Sequence, residues 1–339
     1  MSTLNEPVDF FSKVMQNQSI FCNVEKLPVK VFRTPMDASK MVASCIANTI
    51  REKQAMDEYC ILGLATGSTP VVIYRELIRL HKEEGLSLKN CITFNLDEYY
   101  PMDPLFIHSY HRYMHENFFN HVDIPKSQIY IPLGNIPVSE IKSHCEEYEK
   151  TIRDLGGIDI QILGIGRTGH IGFNEPWSTL DSVTRKITLD QLTRLDAISG
   201  MGLGENAPNH AITMGIKTIM QARRIFIMAF SESKSKISKI AIEGEKSLRI
   251  PATCLYNHPS SIFILDAAAA EKLTRFTCPW VVNGPTGSFE ADYDKFMTRK
   301  AVSWLSEKTG KVILSLEEND YRENGLLDLL LQNKCTAAD

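Results

Sequence analysis

The fold of this 339-residue chain is clearest in the segment IDIQILGIGRTGHIGFNEP, residues 158–176. Its first half is an apolar run with the length of a buried strand, and its second half is a loop with a glycine every two or three residues. Similar apolar runs begin at Cys60, Cys91, Arg223 and Ser261. The stretches between them place apolar residues three or four positions apart, as helices do. This alternation predicts an α/β fold with a doubly wound, mostly parallel sheet flanked by helices.

The composition is that of an ordinary globular protein. Apolar residues make up 43% of the chain and charged residues 23%, which allows a large core. The formal net charge of -4 argues against the basic surface of a nucleic-acid-binding protein. The 8 cysteines show no CxxC spacing and the 9 histidines no HExxH motif, so the sequence predicts no metal site.

The chain has the features of an intracellular protein. Scattered cysteines without a disulfide spacing are typical of a reducing compartment. The N-terminal sequence MSTLNEPVDFFSKV has no apolar stretch of signal-peptide length, and no later run is long enough to span a membrane. We therefore predict a cytoplasmic protein without a membrane or nucleic-acid partner.

The alternation of strands and helices stops near NGPTGS, residues 283–288, and a charged, helix-prone tail follows. There is no internal repeat and no low-complexity segment. We predict a main domain over residues 1–285 and a C-terminal helical extension over residues 286–339.

A loop rich in glycine and hydroxyl groups, ATGSTP, follows the strand that begins at Cys60. Pro70 suits the first turn of the next helix, and either Ser68 or Thr69 would cap it. Backbone N–H groups and the helix dipole make such a junction an anion site. The loop has neither a Walker lysine nor a GxGxxG pattern, so one phosphate on a small substrate fits better than a nucleotide. A well-capped turn without a ligand is the alternative.

Two adjacent acids, Asp97 and Glu98, follow the strand that begins at Cys91. In open α/β sheets this end of a strand borders the ligand crevice. Side chains alternate along an extended chain, so the two acids point in different directions. We expect Asp97 to face the substrate and Glu98 to be structural, the alternative being two ordinary loop acids.

His170 emerges from a tight glycine turn that includes Gly166. Glu175 follows five residues later and can orient the imidazole and stabilise its protonated form, as a general base requires. We expect Asn174 to orient a substrate hydroxyl. A histidine satisfied by backbone carbonyls, beside an ordinary loop acid, is the alternative.

In order and spacing, ATGSTP, FNLDEYY and GIGRTGHIGFNEP resemble the motifs of glucosamine-6-phosphate deaminases. Stretches beginning at Ser109, Asn209 and Ser231 are also similar, so the resemblance extends from about Val31 to Leu273. It implies a doubly wound fold with the active site at the C-terminal strand ends. It also implies conversion of glucosamine 6-phosphate and water to fructose 6-phosphate and ammonia, without a metal or an organic cofactor.

The resemblance further implies residue roles. His170 would open the sugar ring while Glu175 holds and charge-tunes it, and Asp97 would move a proton from carbon 2 to carbon 1, giving an enolamine that loses ammonia. The catalytic set it implies is Asp97, His170, Glu175 and Thr168. The substrate and phosphate set it implies is Thr66, Gly67, Ser68, Thr69, Lys234 and Gly166.

Three positions depart from the family pattern. Thr168 stands where many members have Asp or Asn, and a hydroxyl forms hydrogen bonds but supplies no charge. Trp177 replaces a small residue and is expected to narrow the site or change the sugar. The phosphate arginine of the family has no counterpart in ISGM, residues 198–201, and Arg185 and Arg194 are the nearest arginines that follow the glutamate.

These departures keep two alternatives open besides the deaminase. One is a deaminase or isomerase for another amino-sugar phosphate, and the other is a non-catalytic sugar-phosphate sensor. A 6-phosphogluconolactonase is less favoured because that class lacks the HIGFNEP continuation. We expect a small-molecule partner and a homo-oligomer, although no sequence feature defines the order of the oligomer.

Overall fold

The computed structural model describes residues 24–201, 208–278 and 295–333. They form two compact units, one containing residues 27–270 and the other residues 24–26 together with the residues from 271 onward. The predicted boundary between residues 285 and 286 lies outside the described residues and stays a prediction. Within the described ranges, no helix is both long enough and apolar enough to cross a bilayer.

The larger unit is built around a seven-stranded sheet and a three-stranded sheet. Its strands, numbered along the chain, are β1 Val29–Phe32, β2 Cys60–Leu64, β3 Cys91–Asn95, β4 Asp97–Tyr100, β5 Ile129–Tyr130, β6 Ile160–Gly164, β7 Arg185–Thr188, β8 His210–Thr213, β9 Arg224–Ala229 and β10 Ser261–Asp266.

The seven-stranded sheet has the order β1-β10-β9-β6-β2-β3-β5, and every neighbouring pair is parallel. Strands β2, β3, β6, β9 and β10 are the five predicted apolar runs. They are buried almost throughout, because helices cover both faces of a parallel sheet. The predicted fold class is confirmed.

The chain winds outward from the middle of this sheet in two directions. It runs from β2 to β3 and β5 on one side, and it builds β6, β9 and β10 on the other. Winding therefore reverses between the neighbours β2 and β6. At such a switch point the connections leave the carboxyl ends in opposite directions, which opens a crevice between them.

A second, antiparallel sheet with the order β4-β8-β7 was not predicted. FNLDEYY contains the end of one strand and the start of another. Leu96 separates them: its N–H donates to the carbonyl of Leu64 at 2.9 Å, and its carbonyl accepts from the N–H of Met214 at 2.7 Å. Asp97 therefore begins β4 in the second sheet, opposite Thr213 of β8.

The helices of the larger unit are α1 Pro35–Ala55, α2 Ser68–Glu84, α3 Tyr110–Asn117, α4 Ile141–Asp154, α5 Gln191–Met201, α6 Ile216–Met220, α7 Ser235–Glu243 and α8 Ala267–Ala270. The predicted cap of α2 is wrong. The helix begins at Ser68, and Gly67 is its N-cap with φ 113° and no side-chain cap. Glycine adopts this positive φ without steric cost, so backbone geometry begins the helix without a side-chain cap.

The smaller unit is helical, as predicted for the C-terminal extension. It contains α9 Thr274–Thr277, α10 Lys295–Thr309, α11 Glu318–Glu323 and α12 Leu327–Asn333. Glu317 and Asp320 form a capping box at the start of α11. An apolar cluster holds α10, α11 and α12 together: Ala301, Leu305, Leu316, Tyr321, Leu326 and Leu329.

Candidate active site

A cavity of about 350 Å³ opens at the switch point of the large sheet. Residues 65–70 line it after β2, Leu96 and Asp97 line it after β3, and residues 164–167 with His170 line it after β6. The remaining wall consists of Tyr99, Tyr110, Gly172, Phe173, Thr193, Asp196, Ala197 and Lys234. Three connections that are far apart in sequence therefore meet at the edge where doubly wound sheets bind their ligands.

Asp97 lies in the wall of this cavity with 6% of its surface exposed. Gly172, with φ 56°, faces it from the loop after β6. A Cβ atom at Gly172 would lie 3.4 Å from Asp97 Oδ2 and 3.1 Å from Thr213 Oγ1. The glycine therefore leaves room for the carboxyl group to reach the cavity.

The charge state of Asp97 is set by its surroundings. Burial, with a further contribution from the negative charge of Glu98, raises the pKa of Asp97 from 3.8 to about 8. Near neutral pH the carboxyl group therefore exchanges readily between its protonated and ionised forms. A group of this kind can take a proton from one atom and return it to another.

Glu98 points away from the cavity, as predicted. Its carboxylate accepts hydrogen bonds from the Ser109 hydroxyl at 2.8 Å, the N–H of Tyr110 at 3.0 Å and the N–H of His111 at 2.9 Å. The N–H of Tyr99 adds a fourth bond at 2.9 Å. Glu98 thus satisfies the first N–H groups of α3 and fixes the wall that carries Tyr110.

His170 is held by a tight backbone turn. The N–H of Gly166 donates to the carbonyl of His170 at 2.9 Å, and the N–H of Gly169 donates to the carbonyl of Gly166 at 3.0 Å. The imidazole lies directly over Gly166, where a Cβ atom would be 2.0 Å from Nε2. Only glycine at position 166 leaves space for the ring.

Three side chains meet Nδ1 of His170, and the most distant of them is Thr193, whose Oγ1 lies 3.4 Å from Nδ1. Thr168 Oγ1 lies 2.9 Å from Nδ1, and Glu175 Oε2 lies 3.3 Å from it. Thr168 Oγ1 is also 3.5 Å from the same Glu175 oxygen. When Nδ1 donates to the carboxylate, the lone pair of the neutral ring is on Nε2, which is the form a base requires.

Glu175 is suited to stay ionised beside this histidine. Its burial would raise its pKa, but hydrogen bonding and charge from His170, with hydrogen bonds from Thr193 and the backbone of Asp190, outweigh burial and lower the pKa below 4.5. The fixed negative charge then stabilises an imidazolium when one forms. Neither Thr168 nor Glu175 lines the cavity, so both act through His170.

The loop after β2 forms the other end of the cavity. Thr66, Gly67, Ser68 and Thr69 line it at the N-terminus of α2, whose first turn carries no acidic residue. The carbonyl of Gly67 is held by the Tyr113 hydroxyl at 2.8 Å. N–H groups and hydroxyls at such a helix start favour an anion.

Lys234 supplies a cation to the same cavity from the turn before α7. Its Nζ donates to the carbonyl of Ile165 at 2.8 Å, which holds the ammonium beside the exit of β6. Burial lowers the pKa of Lys234 below 10.5. The structure thus brings all the predicted substrate-binding residues, Gly166 included, to one cavity.

Two expectations from sequence are wrong. Asn174 is fully buried and does not line the cavity: its Nδ2 donates to the carbonyls of Ile171 and Met214, and its Oδ1 accepts from Arg185. Trp177 is 63% exposed and is also absent from the wall of this cavity. The indole of Trp177 therefore does not narrow this cavity, and a change in the accepted sugar stays a prediction.

Sequence reasoning missed two charged residues of the cavity wall. Arg167 and Asp196 line it and form an ion pair with each other. Arg185 and Arg194, the arginines considered from sequence, do not line the cavity. The signal for Arg167 was its place between Gly166 and His170, whereas Asp196 reaches the cavity only through the packing of α5.

A polar cavity at the switch point of a doubly wound sheet defines a class of α/β enzymes that act on small metabolites. Within this class, the family model described as glucosamine-6-phosphate isomerases/6-phosphogluconolactonase matches residues 33–263. The chain belongs to this family.

Individual relatives of the chain are described as members of the same family. A glucosamine-6-phosphate deaminase-like protein of Bacteroides thetaiotaomicron is 42% identical over 313 residues, which are 92% of this chain and 46% of that protein. The chain thus spans less than half of that relative. The glucosamine-6-phosphate deaminase of Bacillus velezensis is 41% identical over 69% of this chain and 95% of its own length. A solved structure described as a monomeric glucosamine-6-phosphate deaminase has 40% identity and a TM-score of 0.68, covering 72% of this chain and 99% of that one.

The space under His170 can be tested through Glu175. In Gly166→Ala the new Cβ atom displaces the imidazole, so Glu175 loses its contact with His170 and burial then raises its pKa. Carboxyl titration followed by NMR should show this rise in a chain that stays folded. Gly164→Ala is the matched control, because its Cβ atom meets no heavy atom within 4 Å. An unchanged Glu175 titration in Gly166→Ala would contradict the proposed packing.

Asp97→Asn should change stability in a pH-dependent way. The folded pKa of about 8 lies above the ordinary value of 3.8, so the contribution of the protonated Asp97 is full below pH 3.8 and is lost as pH rises to about 8. Above that pH the Asn variant should be the more stable by a few kcal/mol. Urea unfolding at several pH values measures the difference. Asp154→Asn, at a side chain 62% exposed, should show no such trend.

Proposed function

We propose that this protein converts glucosamine 6-phosphate and water to fructose 6-phosphate and ammonia in the cytoplasm, as part of amino-sugar catabolism. The observation that carries the proposal is that Asp97, His170 and Lys234 line one cavity although they lie far apart in sequence. The relatives that are named glucosamine-6-phosphate deaminases support the choice of substrate. The residues of the cavity support the individual reaction steps.

The phosphate of the substrate binds between the start of α2 and Lys234. The N–H groups and hydroxyls of Ser68 and Thr69 face one side, and the ammonium faces the other. The helix dipole adds to this attraction. Anchoring the phosphate places the opposite end of the sugar towards His170 and Asp97, which converts a diffusing substrate into a positioned one.

His170 opens the sugar ring. Nε2 takes the proton of the hydroxyl on carbon 1, and the resulting imidazolium returns a proton to the ring oxygen as the carbon–oxygen bond breaks. Glu175 stabilises the imidazolium, and Thr168 keeps the ring oriented between the two transfers. The product is the open-chain aldehyde.

Asp97 then isomerises the aldehyde. Its ionised form removes the proton from carbon 2 while the ammonium group of the substrate gives a proton to the oxygen on carbon 1, which yields an enolamine with a hydroxyl on carbon 1. The protonated carboxyl group of Asp97 then returns the carbon-2 proton to carbon 1. The double bond is now between carbon 2 and nitrogen. Water adds to carbon 2 and ammonia leaves, so one water enters and one ammonia departs for each fructose 6-phosphate formed. The raised pKa of Asp97 suits a group that must hold a proton between two steps.

Ammonia release tests this assignment. Native chain should release ammonia from glucosamine 6-phosphate, and Asp97→Asn should lower kcat by at least about 100-fold because the amide cannot accept the carbon-2 proton. The matched control is Asp154→Asn, which makes the same chemical change at an exposed position and should keep native turnover. An enzyme-coupled assay for ammonia gives the rates.

Other results would point elsewhere. If the native chain turns over no faster than Asp97→Asn, the assignment as an enzyme is wrong. If the sugar phosphate raises the melting temperature but is not turned over, the protein is a sensor. Turnover of galactosamine 6-phosphate faster than that of glucosamine 6-phosphate would identify the former as the substrate. Hydrolysis of 6-phosphogluconolactone in place of deamination would identify a lactonase.

The pH dependence of kcat/KM should report the ionisation of Asp97. Because the base form is required, kcat/KM should rise with pH, reach half of its maximum near pH 8 and level off above that pH. Glu98→Gln removes the neighbouring negative charge that helps raise this pKa, so the rise should move to lower pH. A titration of the substrate amine would not move. If the native chain and Glu98→Gln gave the same profile, the rise with pH would be due to ionisation of the substrate, which would contradict the role of Asp97.

A further inference from the structure

Three charged side chains are grouped at the phosphate end of the cavity. Arg167 and Asp196 line the wall with Lys234, and both act electrostatically on Lys234, with Asp196 favouring its charged form and Arg167 opposing it. Arg167 and Asp196 are also paired directly with each other. The group thus contains two cations and one carboxylate.

The position of Asp196 conflicts with the binding of a phosphate. A carboxylate in the wall of an anion site repels the ligand, and it also occupies the guanidinium that would otherwise attract it. The ion pair between Arg167 and Asp196 is nevertheless weak enough for a ligand to replace the carboxylate. The side chain of Arg167 is 61% exposed and that of Asp196 is 37% exposed, and ion pairs with this degree of exposure contribute little to stability.

A guanidinium has the geometry to take a phosphate instead of a carboxylate. Its N–H groups form two parallel bonds to either group, and the higher charge of a phosphate dianion makes it the stronger partner. Lys234 already fixes one cation at this end through Ile165. Arg167 lies one residue beyond Gly166, on the same exit of β6.

We propose that Arg167 is a second phosphate-binding residue and that Asp196 is its built-in counterion, exchanged for the substrate phosphate on binding. This inference rests on the proposed function in so far as the ligand is a sugar phosphate. Asp196 competes with any ligand for the guanidinium of Arg167. A phosphate dianion carries more charge than the carboxylate and displaces it, whereas a singly charged anion carries the same charge and gains nothing by the exchange. The pair therefore selects phosphorylated ligands over other anions.

The two members of the pair should have opposite effects on binding. Arg167→Gln removes two charge-assisted hydrogen bonds and should weaken the binding of inorganic phosphate and fructose 6-phosphate by about 10- to 100-fold. Asp196→Asn removes the competitor and should strengthen both several-fold, while also admitting monovalent acetate more readily. In the double variant the gain should vanish, because Asp196 acts through Arg167.

Calorimetric titration of the full chain with inorganic phosphate, fructose 6-phosphate and acetate measures these effects. Arg322→Gln provides a matched control, since it breaks a similarly exposed arginine–carboxylate pair, with Glu318, in the smaller unit. Melting temperatures of the variants show whether they fold. If the pair were only structural, both variants would weaken binding alike, and that result would overturn the proposal, as would native affinity in Arg167→Gln.

The titration separates this inference from the proposed reaction. Phosphate binding needs no turnover, so a chain that binds phosphate through Arg167 but releases no ammonia refutes the reaction and leaves the role of Arg167 standing. A chain that releases ammonia with the same KM in Arg167→Gln refutes the role of Arg167 and leaves the reaction standing. Failure of the native chain to bind inorganic phosphate or fructose 6-phosphate overturns the inference.

Discussion

The site depends on the pairing of two parallel strands, β2 and β6, at the point where the winding of the sheet reverses. Their registers place Leu62 beside Ile160 and Gly63 beside Gln161. A Cβ atom at Gly63 would be 2.0 Å from the Gln161 side-chain oxygen, so glycine allows this contact within the sheet. Because the two strands lie side by side, the anion loop after one and the histidine turn after the other must open onto the same crevice. Every later feature of the cavity depends on that proximity.

The acid of the site is governed by a different constraint, the cost of burying charge. Two neighbouring carboxyl groups are buried, and burial raises the pKa of both, but they differ in how many hydrogen bonds offset this cost. Glu98 accepts four hydrogen bonds and serves the wall of the cavity. Asp97, in the wall itself, responds through its pKa, which rises to about 8. The property that makes Asp97 useful in proton transfer is therefore also a cost to stability at high pH.

The sequence predicted the parts of the fold that depend on continuous patterns. Strands buried on both faces read as unbroken apolar runs, so β2, β3, β6, β9 and β10 were recognisable. The short strand β4 was not, because DEYY has no such pattern and pairs with β8, more than a hundred residues away. The same limit applied to the site. Motif spacing identified Asp97 and His170, but Asp196 has no local signal, since only the packing of α5 brings it to the cavity.

Thr168 shows how the chemistry can be divided among the remaining groups. A hydroxyl at this position supplies no charge, yet it bridges Nδ1 of His170 and the carboxylate of Glu175. The proposed roles of orientation and charge are thereby separated: Thr168 restrains the ring, and the charge of Glu175 stabilises the imidazolium. In the proposed reaction, ring opening then depends on the ionised carboxylate of Glu175, whose pKa is lowered by its contact with His170. Proton transfer at carbon 2 depends on a carboxyl group whose pKa is raised by burial. The two halves of the proposed reaction are tuned by opposite environments within one cavity.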